Sequence, residues 1–217
     1  MALKKKKASK DPRILKRYTS MAPLIHMLQT QTLTFLSPAT WDDKNDAFYM
    51  DKYQEAMSLD EVRALCFSTK AETYHHWKIF AGGIDGVCIE FQHKKLIESL
   101  GSIGIRHGRV SYLRLNEVVG AHIRAWDLPF RKRYAFGDEE EYRIILQSDA
   151  ARPDFNASLP LDIKAIDRIT VSPWLPEPMF QAIKKTIRSV RGCSDLNVRR
   201  TSLISNTAWK QAADRIL

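Results

Sequence analysis

Acidic and basic side chains meet in one short stretch of the chain, residues 134–146, where an acidic run leads into a segment of strand composition. Side chains alternate along an extended strand, so Glu139, Glu141 and Arg143 are expected to share one face. Two carboxylates and a guanidinium at the entry to a strand, opposite a buried face, can form a polar site. The alternative is a solvated acidic loop with a surface salt bridge, which contributes little to stability.

A second cluster of oxygen-bearing side chains lies in residues 41–46, which combine three aspartates, one asparagine and one tryptophan. Such a set can bind a hard cation, but the glycine and terminal glutamate of an EF-hand loop are absent. Short Asp and Asn side chains more often cap helices and form turns. The adjacent pair His75 and His76 has poor spacing for zinc on a helix. We therefore predict no bound metal ion.

Aromatic residues and glycines follow between residues 73 and 91. Trp77 and Phe80 are three residues apart and share a face if the segment is helical, which is typical of a core contact. The glycines of residues 82–86 form neither a phosphate-binding loop nor a dinucleotide-binding fingerprint. They indicate a turn that leads into a strand.

The net charge of +9 favours an anionic partner, with nucleic acid first and a membrane surface second. The positive charge is concentrated in an N-terminal arm, in a run before the acidic stretch and in a C-terminal helix. The residues predicted to contact nucleic acid are Lys4, Lys5, Lys6 and Lys7 in the arm, Arg131, Lys132 and Arg133 before the acidic stretch, and Lys184, Lys185 and Arg188 in the helix.

Three scattered cysteines without a CxxC pair are too few for a disulfide framework and fit a reducing cytosol. The chain has no apolar run long enough to span a membrane, and its basic N-terminus lacks the apolar segment of a signal peptide. We therefore expect a cytoplasmic protein with no membrane partner.

Short strands and helices must position these residues. Strands are predicted near residues 14–18, 32–36, 64–68, 87–91, 105–113, 139–146, 163–171 and 196–204. Helices are predicted near residues 20–30, 94–100, 116–127, 179–190 and 206–217. Because the two kinds of element do not alternate regularly, the fold class is α+β. We expect a basic disordered arm over residues 1–12 and a single α+β domain over residues 13–217, with short, mostly antiparallel strands and peripheral helices.

Three groups of residues form a further pattern. They are the segments 17–20, 33–38 and 41–43 with the short helix between them, the segments 66–68 and 86–91 with Trp77 and Phe80, and Glu139 with the segment 141–143. Over residues 14–205 this pattern resembles the bacterial domain-of-unknown-function 2971 family. The aromatic-Asn-Asp-Pro motif of that family is replaced here by residues 41–44, and a family tyrosine is replaced by Phe80. The resemblance implies a domain assignment and no activity.

The chain also resembles the ADP-ribosyltransferase superfamily in the order of its elements. Members place a His, Arg or Tyr on a first strand, then a helix, then a second strand with a hydroxyl or aromatic residue, and a glutamate at the start of a late strand. Tyr18 (or Arg17), the following helix, Ser37 and Glu141 occur in this order. Glu139 and Glu141 are similar to the acidic pair of some transferases. The resemblance implies a split sheet like that of the ADP-ribosyltransferases and NAD as the cofactor.

The same resemblance implies roles for the acidic pair. Glu141 would hold a ribose hydroxyl and stabilise the positive charge that develops as the nicotinamide–ribose bond breaks. Glu139 would orient the acceptor or take its proton.

Roles for the other residues follow from the resemblance too. Tyr18, with Trp77, would stack on nicotinamide. Arg17 or Arg143 would pair with the pyrophosphate, unless Arg143 instead serves Glu139 or Glu141 by lowering its pKa and fixing its rotamer. The remaining cofactor contacts are expected from Ser37 and Ser68.

The resemblance implies an ADP-ribosyltransferase that uses NAD, and the positive charge favours RNA or DNA as the molecule it modifies. The expected setting is a toxin of a bacterial phage-defence or toxin–antitoxin system, with an antitoxin protein as a further partner. One alternative is a non-catalytic nucleic-acid-binding protein, which needs only the basic surfaces and exposed aromatic residues. Another is a metal-dependent nuclease that uses Asp42, Asp43, Asp46, Glu139 and Glu141. A partner-binding protein with none of these chemistries also stays open. The central structural prediction is that Tyr18, Ser37 and Glu141 line one cleft.

Overall fold

The computed structural model describes residues 11–149 and 155–216. The predicted arm lies almost wholly outside the described residues, and so do Lys4, Lys5, Lys6 and Lys7. The strands are β1 (Ile14–Ser20), β2 (Thr32–Thr34), β3 (Glu61–Ser68), β4 (Gly86–Gln92), β5 (Ile105–Arg109), β6 (Ser111–Leu113), β7 (Arg131–Arg133), β8 (Glu141–Ser148), β9 (Ser158–Pro160), β10 (Ile166–Val171) and β11 (Val198–Arg200). The α-helices are α1 (Met21–Thr30), α2 (Lys44–Ala56), α3 (Tyr74–Phe80), α4 (His93–Leu100), α5 (Leu115–Gly120), α6 (Glu177–Ser189) and α7 (Thr207–Asp214).

Seven strands form one mixed sheet in the order β11-β10-β4-β1-β3-β8-β5. Neighbouring strands in this sheet are antiparallel, except that β11 runs parallel to β10. Two small two-stranded sheets accompany it, β2 with β9 and β6 with β7. The prediction of an α+β fold with short, mostly antiparallel strands is confirmed. The boundaries of the single domain stay a prediction.

The large sheet is split at its centre, between β1 and β3. Strand β1 pairs with β4 along its whole length, from Ile14 to Ser20. Among the described residues its pairing with β3 is restricted to Lys16, which lies opposite Ser68. Further along β3, Ala64 instead forms an isolated bridge with Leu36. The backbone between these two positions therefore faces a gap in the sheet.

The two faces of the sheet are covered by different helices. On one face, strand residues such as Leu15 and Ile144 join a large apolar core with α1, α4 and α6. On the opposite face, α2 packs against β3 and β8 through Met50 and Tyr53. Helix α3 packs against β1 and β4 through the buried side chain of Trp77. On this second face, α2 and α3 lie on either side of the split between β1 and β3.

Some element boundaries differ from the prediction. Glu139 ends a 3₁₀ helix over Tyr134–Glu139, and β8 begins two residues later. Glu140, between them, has a left-handed backbone with φ 42°, so the chain turns sharply before the strand. The strand predicted near residues 196–204 is restricted to β11. In the part of the chain that the structure describes, no helix has the length and apolar character to cross a membrane.

Candidate active site

A cavity of about 590 Å³ lies where β1 and β3 diverge, on the face that α2 and α3 cover. This volume is within the range of pockets that hold small molecules and cofactors. Lys16, Arg17 and Tyr18 from β1 form one wall, and Cys66 and Ser68 from β3 belong to the opposite wall. The acidic side chains that line the cavity are Asp42, Asp43, Asp46, Glu139 and Glu141. Two of the three residues predicted to share a cleft, Tyr18 and Glu141, thus line the same cavity.

The first residue of β8 supplies a buried carboxylate to this cavity. Glu141 is 3 % exposed and accepts hydrogen bonds from Arg143, Nε to Oε1 at 2.7 Å and Nη2 to Oε2 at 2.9 Å. The alternation of β8 places both side chains on the same face, as the sequence predicted. The backbone N–H of Glu141 donates to the Tyr112 hydroxyl at 2.8 Å, which holds the start of the strand in place.

A second carboxylate, from α2, binds the other side of the same guanidinium. Arg143 donates to Asp46 from Nη1 at 3.0 Å and from Nη2 at 2.7 Å. Asp43 caps α2 by accepting from the backbone N–H groups of Asn45 and Asp46, which places Asp46 in the first turn of the helix. A carboxylate–guanidinium–carboxylate unit therefore joins α2 to β8.

Lys132 of β7 completes the network at the cavity wall. Its Nζ lies 2.7 Å from a carboxylate oxygen of Glu139 and 3.5 Å from oxygens of both Glu141 and Asp46. Ser68 fixes the turn around Glu139, because its hydroxyl donates to the Glu139 carbonyl at 2.7 Å. Three carboxylates thus face two cations, which leaves one negative charge in excess when Glu139 is ionised.

The network separates the pKa values of the two glutamates. Burial alone would raise the pKa of Glu141, but the charge and hydrogen bonds of Arg143 and the charge of Lys132 lower it to about 2. Burial raises the pKa of Glu139 above its ordinary value, although Lys132 opposes this. Glu141 is therefore a fixed anion, and Glu139 is the better proton acceptor of the pair.

Tyr18 stands on the β1 side of the split. Its ring packs edge-on against Trp77, with centroids 5.5 Å apart, and lies 5.2 Å from His76. The hydroxyl oxygen is buried and has no partner at hydrogen-bond geometry among the described residues, although the Cys88 thiol opposite it on β4 interacts with it. Burial raises the pKa of this phenol, so it remains protonated. A buried hydroxyl without a partner at hydrogen-bond geometry, on a residue that lines a cavity, fits a ligand group that would supply the missing bond.

Arg17 reaches the same cavity from the neighbouring position of β1. Alternation directs its side chain away from Tyr18, but β3 has separated from β1 at this point. The guanidinium can therefore enter the gap, where Nη1 donates to the Cys66 carbonyl at 3.5 Å. Burial lowers the pKa of Arg17. No carboxylate pairs with Arg17 in the described part of the chain, so the residue is suited to an anionic ligand group.

Three predicted cofactor contacts need correction. Arg143 is 0 % exposed, and its five N–H groups bond to Glu141, Asp46 and the Pro129 carbonyl, so none is left for a pyrophosphate. Its position matches the alternative prediction for Glu141, which it holds ionised, whereas Glu139 is bound by Lys132. Trp77 is 0 % exposed and donates to Glu72, so it supports Tyr18 and cannot itself stack on a ligand.

Ser37 is the third correction, because it does not line the cavity. Its carbonyl accepts hydrogen bonds from the N–H and hydroxyl of Thr40 in a short 3₁₀ helix. The cavity wall at this point is formed by Leu36 and Trp41 instead. Ser68 does line the cavity, but its hydroxyl hydrogen is committed to the Glu139 carbonyl.

The predicted nucleic-acid residues lie in two places. Arg131, Lys132 and Arg133 form β7, beside the cavity. Lys184, Lys185 and Arg188 lie on α6, which packs against β11 at the far edge of the sheet. These two basic surfaces are therefore separated by the width of the sheet.

Sequence reasoning missed the part that Asp46, Lys132 and Trp41 play together. The sequence placed Asp46 in a set that could bind a metal ion or form caps and turns, yet both of its oxygens bind Arg143. The Trp41 ring covers the guanidinium, with Cζ 4.7 Å from the ring centre. Within residues 11–149 and 155–216, no group of three or more His, Cys, Asp or Glu side chains is arranged to hold a metal ion.

Comparisons with known proteins give similarity in fold only. No family model matches the chain, and no curated protein matches it. Solved structures of DarT from Thermus sp. 2.9 are similar: the complex with ADP-ribosylated ssDNA has 10% identity and a TM-score of 0.46, covering 90% of this chain and 97% of that chain. The complex with NAD+ has 8% identity and a TM-score of 0.44, covering 89% and 98%. The resemblance to the domain-of-unknown-function 2971 family stays a prediction.

Proposed function

We propose that the chain is an ADP-ribosyltransferase that uses NAD and modifies nucleic acid. The observation that carries the proposal is Glu141, a buried carboxylate held ionised by Arg143 in the wall of a cavity. Tyr18 lies in the same cavity on the other side of the split sheet. A fixed anion in a site of low dielectric stabilises positive charge that develops in a transition state.

The residues that line the cavity fit NAD. The volume of about 590 Å³ is ample for the nicotinamide riboside end of the molecule. The buried hydroxyl and the aromatic ring of Tyr18 suit a planar amide-bearing ring. Lys16 and Arg17 supply positive charge for the pyrophosphate. Ser68 and Phe80 complete a wall of mixed polarity.

The chemistry requires few groups from the protein. NAD supplies a nicotinamide–ribose bond that breaks with its electron pair on nicotinamide, while the ribose carbon bonds to the acceptor. Glu141 stabilises the positive charge on the ribose and accepts a hydrogen bond from a ribose hydroxyl. Glu139, whose pKa is raised by burial, takes the proton that the acceptor loses. Asp46 and Arg143 act through Glu141 as positioning residues.

Nucleic acid is the acceptor that the charge distribution favours. The chain has a net charge of +9, and β7, which carries Lys132, lies next to the cavity. Basic residues beside the site bind phosphates without regard to sequence. A role as a bacterial toxin with an antitoxin partner, and a cytoplasmic location, stay predictions.

The metal-dependent nuclease is less well supported. Its proposed ligands Asp46 and Glu141 both bind Arg143, and Lys132 lies among Asp46, Glu139 and Glu141. Carboxylates that are already paired with two cations offer a poor site to a divalent ion. Chelation is therefore expected to leave the activity unchanged.

The deciding experiment is nicotinamide release from NAD, measured with and without RNA or DNA for the wild type, Glu141→Gln and Glu140→Gln. Glu140 precedes Glu141 in the chain and is exposed, so Glu140→Gln is the matched control. Release that depends on nucleic acid, survives Glu140→Gln and disappears in Glu141→Gln would support the proposal. Absence of release in every condition, with nucleic-acid binding intact in all three proteins, would favour a non-catalytic binding protein.

A further inference from the structure

A groove runs along the outside of the cavity, between β6–β7 and α5. It consists of two adjoining hollows of about 120 and 470 Å³, which share Leu113, Leu115 and Arg133. The smaller hollow is also lined by Asp43, Asp46 and Lys132, and these three residues line the cavity too. The inner end of the groove therefore lies against the acidic network.

One side of the groove is cationic. Arg131, Lys132 and Arg133 of β7 line it, and Arg114 lines its outer end. Lys132 is engaged by carboxylates, whereas the guanidiniums of Arg114 and Arg133 belong to exposed residues. The Nε of Arg131 is buried and has no hydrogen-bond partner in the described part of the chain.

The other side of the groove is apolar and aromatic. Leu115 is 66 % exposed and Tyr134 is 56 % exposed, although both are large hydrophobic residues. The Arg114 guanidinium lies over the Tyr134 ring, with Cζ 4.6 Å from its centre. Val118 and Tyr49 continue the apolar lining towards the cavity. Exposed apolar residues beside a row of arginines indicate a ligand with both charged and apolar parts.

We propose that this groove, which we call the β7 groove, binds a single strand of nucleic acid and leads it to the cavity. Phosphates would bind Arg114, Arg131 and Arg133, and bases would contact Leu115, Val118 and Tyr134. A duplex hides its base faces, so exposed apolar and aromatic contacts favour an unpaired strand. The placement of the acceptor in the β7 groove rests on the proposed function, whereas binding of the strand does not.

The basic surface of α6 lies far from the β7 groove. Helix α6 carries Lys184, Lys185 and Arg188, but it packs at the opposite edge of the sheet. A strand held there would be the width of several strands from Glu141, since neighbouring strands lie about 4.8 Å apart. Of these two surfaces, the β7 groove is the one expected to contribute to the affinity for the strand.

The test is fluorescence anisotropy with a labelled 20-nucleotide strand of mixed sequence, as RNA and as DNA, titrated without NAD over a range of salt concentrations. Arg114→Gln/Arg133→Gln removes two exposed charges from the groove, and Lys185→Gln/Arg188→Gln removes two exposed charges from α6. We expect the groove variant to bind about tenfold more weakly and its salt slope to fall by about 1.4, at about 0.7 per phosphate contact for a single strand. The α6 variant should match the wild type.

A second pair of variants tests the apolar side. Tyr134→Ala removes an exposed aromatic residue from the groove, and Trp209→Ala removes one from α7, where it is 82 % exposed. Loss of one stacked base is expected to weaken binding about tenfold in Tyr134→Ala, with no change in Trp209→Ala. A duplex of the same sequence should bind the wild type and Tyr134→Ala equally.

The outcomes distinguish this inference from the proposed function. Equal weakening by the groove and α6 variants, or no effect of either groove variant, would overturn the β7 groove. Glu141→Gln should bind the strand like the wild type. Absence of nicotinamide release together with weakened binding in the groove variants would overturn the transferase and leave the groove as a binding site.

Discussion

Glu141 and Arg143 lie two residues apart on β8 and form two hydrogen bonds, of 2.7 and 2.9 Å, on the cavity face of the sheet. The guanidinium plane fixes the orientation of the carboxylate plane, because two parallel bonds leave neither group free to rotate. Asp46 fixes the guanidinium from the other side in the same way. The carboxylate is thus oriented before any ligand binds, which is the condition for electrostatic stabilisation of a transition state.

The first prediction concerns Asp46, which supports Glu141 through Arg143. In Asp46→Asn one acceptor of Arg143 is lost, so Glu141 can rotate away from its position. We expect the rate of nicotinamide release to fall by about 10- to 100-fold with a smaller change in KM, since misplacement of a reacting group costs this much. Asp51→Asn, an exposed change on the same helix, should leave the rate unchanged. A loss confined to KM would show that Asp46 serves binding and not the position of Glu141.

The second prediction is the effect of acid on stability. The pKa of Glu141 is about 2 in the folded protein, below the ordinary 4.5, so the native state favours the ionised form. This contribution to the free energy of unfolding is present above pH 4.5 and is lost as pH falls towards 2. The urea concentration at the unfolding midpoint of the wild type should therefore fall over this interval. Glu141→Gln should be less stable at neutral pH and show a smaller change with acid; a parallel decline in both proteins would contradict the assignment.

The third prediction concerns Tyr18. Its buried hydroxyl has no partner at hydrogen-bond geometry among the described residues, so Tyr18→Phe should change the free energy of unfolding by less than about 1 kcal/mol, or stabilise the protein. Tyr18→Ala should cost about 3–5 kcal/mol, because it removes the ring that packs on Trp77. NAD binding, measured by calorimetry, should weaken in Tyr18→Phe. A clear loss of stability in Tyr18→Phe would mean that the hydroxyl serves the fold.

Parts of this site could be predicted because they follow from local periodicity. The alternation of a strand is enough to place Glu141 and Arg143 on one face, and the order strand, helix, strand at the start of the chain needs only composition and caps. The burial of Arg143 was harder to predict, since a charged strand face normally meets water. It is buried because Asp46, 97 positions away, arrives on a different element.

The split of the sheet was predicted from resemblance and could not be derived from the residues. Strand β1 pairs fully with β4, and where β1 and β3 separate, Ala64 of β3 bridges Leu36 instead. Such non-local pairing leaves no periodic signal in either strand. The burial of Trp77 could not be predicted from local spacing either, because its helical spacing with Phe80 predicts only that the two side chains share a face. One side chain is buried and the other is 40 % exposed at the cavity.

The fourth prediction concerns a cluster on the face away from the cavity, in which Tyr142 and His93 are buried and His107 is exposed. The Tyr142 hydroxyl lies 2.8 Å from His93 Nε2 and 2.6 Å from His107 Nδ1. Burial lowers the pKa of both histidines, a shift that nearby Asp11 opposes and, at His93, Arg109 reinforces. Both rings are therefore neutral at pH 7. The stability that this neutral state contributes is present above the unfolded pKa of about 6.5 and is lost as pH falls through the lowered folded values.

The matched variant for this cluster is His93→Gln/His107→Gln, which can keep hydrogen bonds to Tyr142 and does not titrate. Its urea unfolding midpoint should fall less between pH 7 and pH 5 than that of the wild type. His26→Gln/His122→Gln, with both histidines outside the cluster, should retain the wild-type slope. Equal slopes in all three proteins would show that the cluster does not titrate in this range.

The fifth prediction concerns Lys132, whose Nζ lies 2.7 Å from Glu139 and 3.5 Å from Glu141. In Lys132→Gln the network keeps three carboxylates but only one cation. Loss of a nearby positive charge raises carboxylate pKa values, and burial already raises that of Glu139. The acidic limb of the pH–rate profile for nicotinamide release should therefore move to higher pH, because Glu139 must lose its proton to act as a base. Lys70→Gln removes a lysine that pairs with the exposed Asp138, outside the network. This control should leave the pH of the acidic limb unchanged. A shift towards lower pH in Lys132→Gln would mean that the base is not a member of this network.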